Sequence, residues 1–165
     1  MEDHDRFASL AAAYHAFQEC IQSLPYGLYL SPMNDDGWSP RDVVAHLVGW
    51  NRRMIESGRD ILRGEQPSYY SDSANDYRNI NAGFVAKYST RDRASLLGEL
   101  AASMQEFEIF LHGLKPSELT ADHGVVHYGG SPATVARLMD SLAGDYRDHA
   151  REITEWLGTK GHRIP

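Results

Sequence analysis

Apolar residues recur along this chain at spacings of three and four, the period of one face of an α-helix. Phe7, Leu10, Ala11, Tyr14, Phe17, Ile21 and Leu24 make the first such face, so a helix is predicted from Asp3 or Asp5 to Leu24, ended by Pro25 and Gly27. A second helix opens at Trp38-Ser39-Pro40-Arg41-Asp42. Ser39 is the N-cap, Pro40 occupies the first turn, and Asp42 completes a capping box. Val43, His46, Leu47, Trp50 and Met54 form its inner face, which reaches Arg63 before Gly64. Residues 64–74 are a polar connection carrying Tyr69 and Tyr70, two rings that either fold over the mouth of the bundle or stand exposed.

A third helical region begins near Asn75, with Tyr77, Asn81, Phe84, Val85 and Tyr88 on one face. Ser89-Thr90 interrupts it. Thr90 is expected to cap a restart at Arg91, after which Leu96, Leu97, Leu100, Met104, Phe107, Phe110, Leu111 and Leu114 carry the stripe. The pattern fits either one kinked helix or two in sequence. Lys115–Gly130 is a connection in which Val125, Val126 and Tyr128 suit a short extended piece. The last helix is expected over Ser131–Leu157, with Ser131 as N-cap and Pro132 at its first position. The tail from Gly158 is expected to fray. Four long amphipathic helices with little strand signal make an all-α bundle, and residues 1–165 are read as one domain.

Composition changes this picture little. Sixteen basic against 23 acidic side chains leave a net charge of −7, which argues against nucleic acid or an acidic membrane as a partner. Cys20 is the single cysteine, so no intrachain disulfide forms, and a reducing, cytoplasmic location is the simple expectation. The acidic, charge-broken start is not that of a signal peptide, and no run has the length of a membrane span.

The candidate chemistry lies where the last stripe turns polar. Continuing from Leu142, the inward positions are Asp145, Tyr146 and His149, before Ile153 and Trp156 resume the apolar pattern. A carboxylate and an imidazole four residues apart share one helix side. Burying them is costly unless they are paired or coordinate a metal. His46 stands on the facing helix. Two imidazoles and a carboxylate suit Zn, Ni, Fe(II) or Mn with positions open for substrate. The same spacing equally fits an ordinary Asp/His pair and a structural histidine. His123 and His127, in a Gly-rich loop, read as surface residues, and His15 as a half-buried edge residue. Cys20 reads as a core thiol. Arg52, Arg53, Arg59 and Arg63, interleaved with Glu56, Asp60 and Glu65, read as a solvated face. Phosphate-binding, dinucleotide and nucleophile-elbow motifs are absent.

The segment from Gly37 to Trp50 resembles the WS-x-x-D-x-x-x-HL-x-x-W signature of the DinB/YfiT-like superfamily, and Asp145–Ile153 resembles its last-helix H-x-x-x-H-x-x-x-I pattern. Asn81, behind a long tyrosine-bearing connection, is most similar to the ClbS/DfsB-type subgroup. The resemblance implies a DinB-like four-helix bundle with long crossover connections, and a homodimer. It also implies a divalent metal (Zn, Ni, Mn or Fe) on His46 and His149, with Asp145 where a second last-helix histidine is usual. Two functions follow as expectations. The first is a metal-dependent enzyme acting on a small electrophilic molecule by hydrolysis or thiol transfer, with a low-molecular-weight thiol as co-substrate in the second case. Tyr146 and Tyr14 would then donate hydrogen bonds in its cavity. The alternative is a metal-free small-molecule-binding or resistance protein, as some ClbS-like members are.

Overall fold

The computed structural model describes residues 3–71 and 77–162. Four long helices form the frame: α1 (Asp3–Gln22), α3 (Pro40–Leu62), α5 (Arg93–His112) and α7 (Val135–Thr159). Helix α1 packs along α7, and α3 sits between α5 and α7. Three shorter helices complete it: α2 (Tyr26–Tyr29), α4 (Arg78–Tyr88), which lies against α3, and α6 (Pro116–Thr120), against α7. A 3-10 turn spans Ser68–Ser71. Among the described residues there is no strand, only one isolated antiparallel bridge between Val126 and Pro132. No helix there is long and apolar enough to cross a membrane. The all-α bundle expected from the periodicity is the fold observed.

The second helix starts as its local signals require. Ser39 Oγ accepts from the Asp42 backbone N–H, and the Asp42 carboxylate accepts from the Ser39 N–H at 2.9 Å. The third region is two helices. The new one is capped by Asp92, whose carboxylate accepts from the Ser95 N–H at 2.7 Å, rather than by Thr90. The last helix begins three residues later than expected, with its N-cap at Thr134 instead of Ser131. Residues 131–133 are drawn into an extended pairing: His127 N–H donates to the Ser131 carbonyl and Ala133 N–H to the Val125 carbonyl, both at 2.8 Å. Thr134 then caps α7 by accepting from the Arg137 N–H. Ser131 and Pro132 therefore belong to a hairpin whose tip, Gly130, takes a φ of +86°, and the short extended piece expected around Val125 and Val126 is one side of it.

Two features of the packing position the site. At Gly49 a Cβ would fall 2.1 Å from Cγ of Phe84, so the absent side chain is what lets α4 lie close on α3. On the far side of α3 a polar row runs through the core. The Tyr146 hydroxyl donates to Asn51 Oδ1 at 2.9 Å, Asn51 Nδ2 donates to Ser103 Oγ at 2.9 Å, and Ser103 Oγ donates to the Leu100 carbonyl at 3.0 Å. These groups are fully buried and hydrogen-bonded, as buried polar atoms should be. Arg52 ties α3 to α5 by a two-pronged contact to Glu106 and a 2.9 Å contact to Glu99. It is thus a cross-helix clamp rather than part of a solvated face. Arg53 and Arg63 do lie among Glu56, Asp60 and Glu65 as expected. Cys20 is the buried thiol expected, beside Thr154, and burial pushes its pKa up.

Candidate functional site

A cavity of about 870 Å³ opens between α3, α4 and α7. Its walls are largely aromatic. Trp50, Tyr69, Tyr70, Tyr128 and Tyr77 form a closed circuit of mostly edge-to-face contacts, with ring centroids 4.8–6.3 Å apart at each step. Tyr69 and Tyr70 are buried, so the connection after α3 does fold over the mouth. His127 lines the same wall, 5.2 Å from the Tyr70 ring, because the hairpin carries it there. It is not the surface residue its Gly-rich surroundings suggest. His123 is exposed, as expected, and His15 is exposed rather than half-buried.

The floor is polar. His46 lies on the inner face of α3 beneath Trp38 and beside Trp50. The Trp50 indole N–H donates to Asn81 Oδ1 at 2.9 Å, and His46 Nδ1 lies 3.1 Å from the same oxygen. An indole nitrogen can only donate, so the oxygen of the Asn81 amide must face both rings. His46 Nδ1 therefore carries the proton, and Nε2 keeps its lone pair. Burial, reinforced by nearby His149, pushes the His46 pKa down to about 3, so the ring is neutral near pH 7. Its Nε2 is an acceptor without a protein donor among the described residues.

His149 faces His46 across the floor, with ring centroids 5.1 Å apart and planes at 80°. Its Nδ1 is 3.2 Å from Glu152 Oε2, and Glu152 Oε1 accepts from Asn34 Nδ2 at 3.2 Å. The hydrogen bond to His149 holds the Glu152 carboxyl below its ordinary range. Glu152 was not singled out from the sequence; a carboxylate three residues after an inward histidine is the signal that would have found it. Asp145 lines the cavity one turn before His149, and burial raises its pKa.

Of the expected site, His46, His149 and Asp145 reach one cavity. Among the described residues, however, no three His, Cys, Asp or Glu side chains are grouped to hold a metal ion. Each imidazole engages a neighbour through Nδ1, an arrangement that leaves Nε2 as its other ring nitrogen toward the cavity, and Asp145 lies one turn before His149. Tyr146 and Tyr14 are placed elsewhere. Tyr146 is fully buried with its hydroxyl given to Asn51, Tyr14 packs on it edge-to-face at 5.6 Å, and neither lines the cavity.

The comparisons with known proteins agree with this fold. The crystal structure of the colibactin self-resistance protein ClbS in complex with double-stranded DNA superposes with a TM-score of 0.75 at 15% identity, over 92% of this chain and 93% of that one. The Sibling Lethal Factor precursor DfsB gives a TM-score of 0.78 at 16% identity, over 97% of each chain. An uncharacterised protein from Escherichia coli UTI89 gives 0.76 at 16%, over 96% and 94%. No curated protein sequence matches the chain. The ClbS complex overturns the exclusion of nucleic acid drawn from net charge: a protein of this fold does engage duplex DNA, and the sum of charges does not report the local surface that would do so. The family model described as the DinB superfamily matches residues 9–153, and the chain belongs to that superfamily.

Proposed function

We propose that this chain is a metal-independent small-molecule-binding protein of the resistance type, which takes a compact ligand with a planar aromatic or conjugated part into the cavity between α3, α4 and α7. The observation that carries the reading is the cavity itself: about 870 Å³, walled by a circuit of five aromatic rings, with a few convergent polar groups on its floor. That combination is what small-molecule sites share. The likeness of fold to a self-resistance protein supports the same class. No step in this reading passes through a metal. The protein, loaded with Zn, Ni or Mn and desalted, is expected to keep less than stoichiometric metal and to melt at an unchanged temperature.

The direct test is calorimetric titration with naphthalene-1-methanol, a neutral planar probe. Saturable one-to-one binding, lost in Trp50→Ala, supports the reading, and absence of binding by the wild-type protein of this probe and of its amine and acid counterparts removes it. Double-stranded DNA is a second reading on one observation, the ClbS complex. A short duplex should then bind with an affinity that falls as salt rises. No complex at low salt rejects it.

A further inference from the structure

Resting on that reading of the cavity, we infer that its ligand carries a cationic amine, and that the amine pairs with Asp145. Asp145 lines the cavity, yet among the described residues its carboxylate accepts no hydrogen bond and forms no ion pair. Its electrostatic neighbours are His149, one turn on, which favours its charge, and Asp148, whose like charge works against it. The other cavity groups have different commitments. Asp140 meets Arg6 at 3.3 Å. Arg137 donates to Ser131, and Arg78 has a partner of its own.

Asp145 is half-buried against the cavity, and with no protein donor on its carboxylate its acceptor positions are open to a donor on a ligand that enters. The rest of the floor says which kind. His46 Nε2 is also an acceptor, because Asn81 fixes the proton on Nδ1. The ligand thus meets two acceptors. An ammonium has three donors and no acceptor, so it can pair with the carboxylate without being repelled by the lone pair. The rings of Trp38 and Trp50 flank His46, and aromatic faces attract cations. At Asp145 a carboxylate or phosphate head would meet a like charge and a lone pair instead, Arg137 lying on the Tyr70 and His127 wall. The ligand class is an aryl-bearing amine, protonated near neutral pH.

The test uses the full chain and three naphthalenes of one size: 1-naphthylmethylamine, naphthalene-1-methanol and 1-naphthoate. Each is titrated by calorimetry near neutral pH into wild type and Asp145→Asn. The amine is expected to bind wild type about tenfold or more tighter than the alcohol, as a charge-assisted contact should, and the acid weakest. Asp145→Asn is expected to bring amine and alcohol to about the same affinity. Thermal melting confirms its fold, and Asp145→Ser serves as a second variant if it does not fold. Equal binding of amine and alcohol by wild type, tightest binding of the acid, or an amine preference that survives in the variants overturns the inference while the cavity reading stands. Binding of none of the three removes the cavity reading, and the inference with it.

Discussion

Asn81 is the residue on which the floor of the cavity depends most directly, and its removal gives a sharp expectation. Its amide oxygen accepts from Trp50 at 2.9 Å and from His46 at 3.1 Å. In Asn81→Ala both donors lose their partner, but they respond differently. His46 can move its proton from Nδ1 to Nε2 and so escape an orphaned donor. The Trp50 indole cannot, and Trp50 is only 4% exposed. An unsatisfied buried donor costs about 1–3 kcal/mol, to which truncation of a half-buried side chain adds less, so a loss of about 2 kcal/mol is expected in urea denaturation. The cycle with Trp50→Phe isolates the contact. Without the indole N–H, Asn81→Ala should cost roughly 1 kcal/mol less, and that difference is the coupling. Long-range nitrogen–proton correlation spectra of the His46 ring should show the Nδ1–H tautomer in wild type and a shift toward Nε2–H in Asn81→Ala. A wild-type ring already protonated on Nε2, or additive losses in the cycle, would refute the reasoning.

Three further outcomes follow from the same packing. Tyr146→Phe should cost about 1–2 kcal/mol in denaturant by depriving Asn51 Oδ1 of its donor, while calorimetry of naphthalene-1-methanol binding stays unchanged because the hydroxyl lies outside the cavity. Gly49→Ala should cost about 1–3 kcal/mol by driving a Cβ into the Phe84 ring, and Phe84→Leu should recover part of that in the double variant. Because the His46 pKa falls from 6.5 to about 3 on folding, the unfolded chain binds the extra proton between those values. Its contribution to stability is then complete above pH 6.5 and declines as pH drops toward 3, so His46→Gln should flatten the dependence of unfolding free energy on pH across that window.

What could be read from the chain in advance was what local chemistry decides. The capping box at Ser39 and Asp42 involves residues three apart and came out as expected. The start of α7 did not, because the pairing of residues 131–133 with 125–127 is a tertiary event that outranks the local fitness of Ser131 and Pro132 as a helix start. The site divides in the same way. Helical spacing placed His46, Asp145 and His149 on inward faces, and all three line one cavity. It placed Tyr14 and Tyr146 inward too, but an apolar stripe does not tell a core-facing position from a cavity-facing one; that depends on which neighbour fills the space. His127, Tyr128, Tyr69 and Tyr70 reach the cavity from two connections far apart in sequence, where periodicity carries no information.

The five-ring circuit over the mouth has a consequence for how this chain could change its ligand over evolutionary time. Each ring rests on two others, so exchanging one re-aims its neighbours, and the effect of a second exchange depends on the first. Such substitutions are epistatic by construction. The rings sit on α3, at the N-cap of α4 and on two connections, apart from the buried polar row that joins α3, α5 and α7. New specificities are therefore reached by coordinated replacements among Tyr69, Tyr70, Tyr77 and Tyr128, explored largely without risk to the frame beneath them.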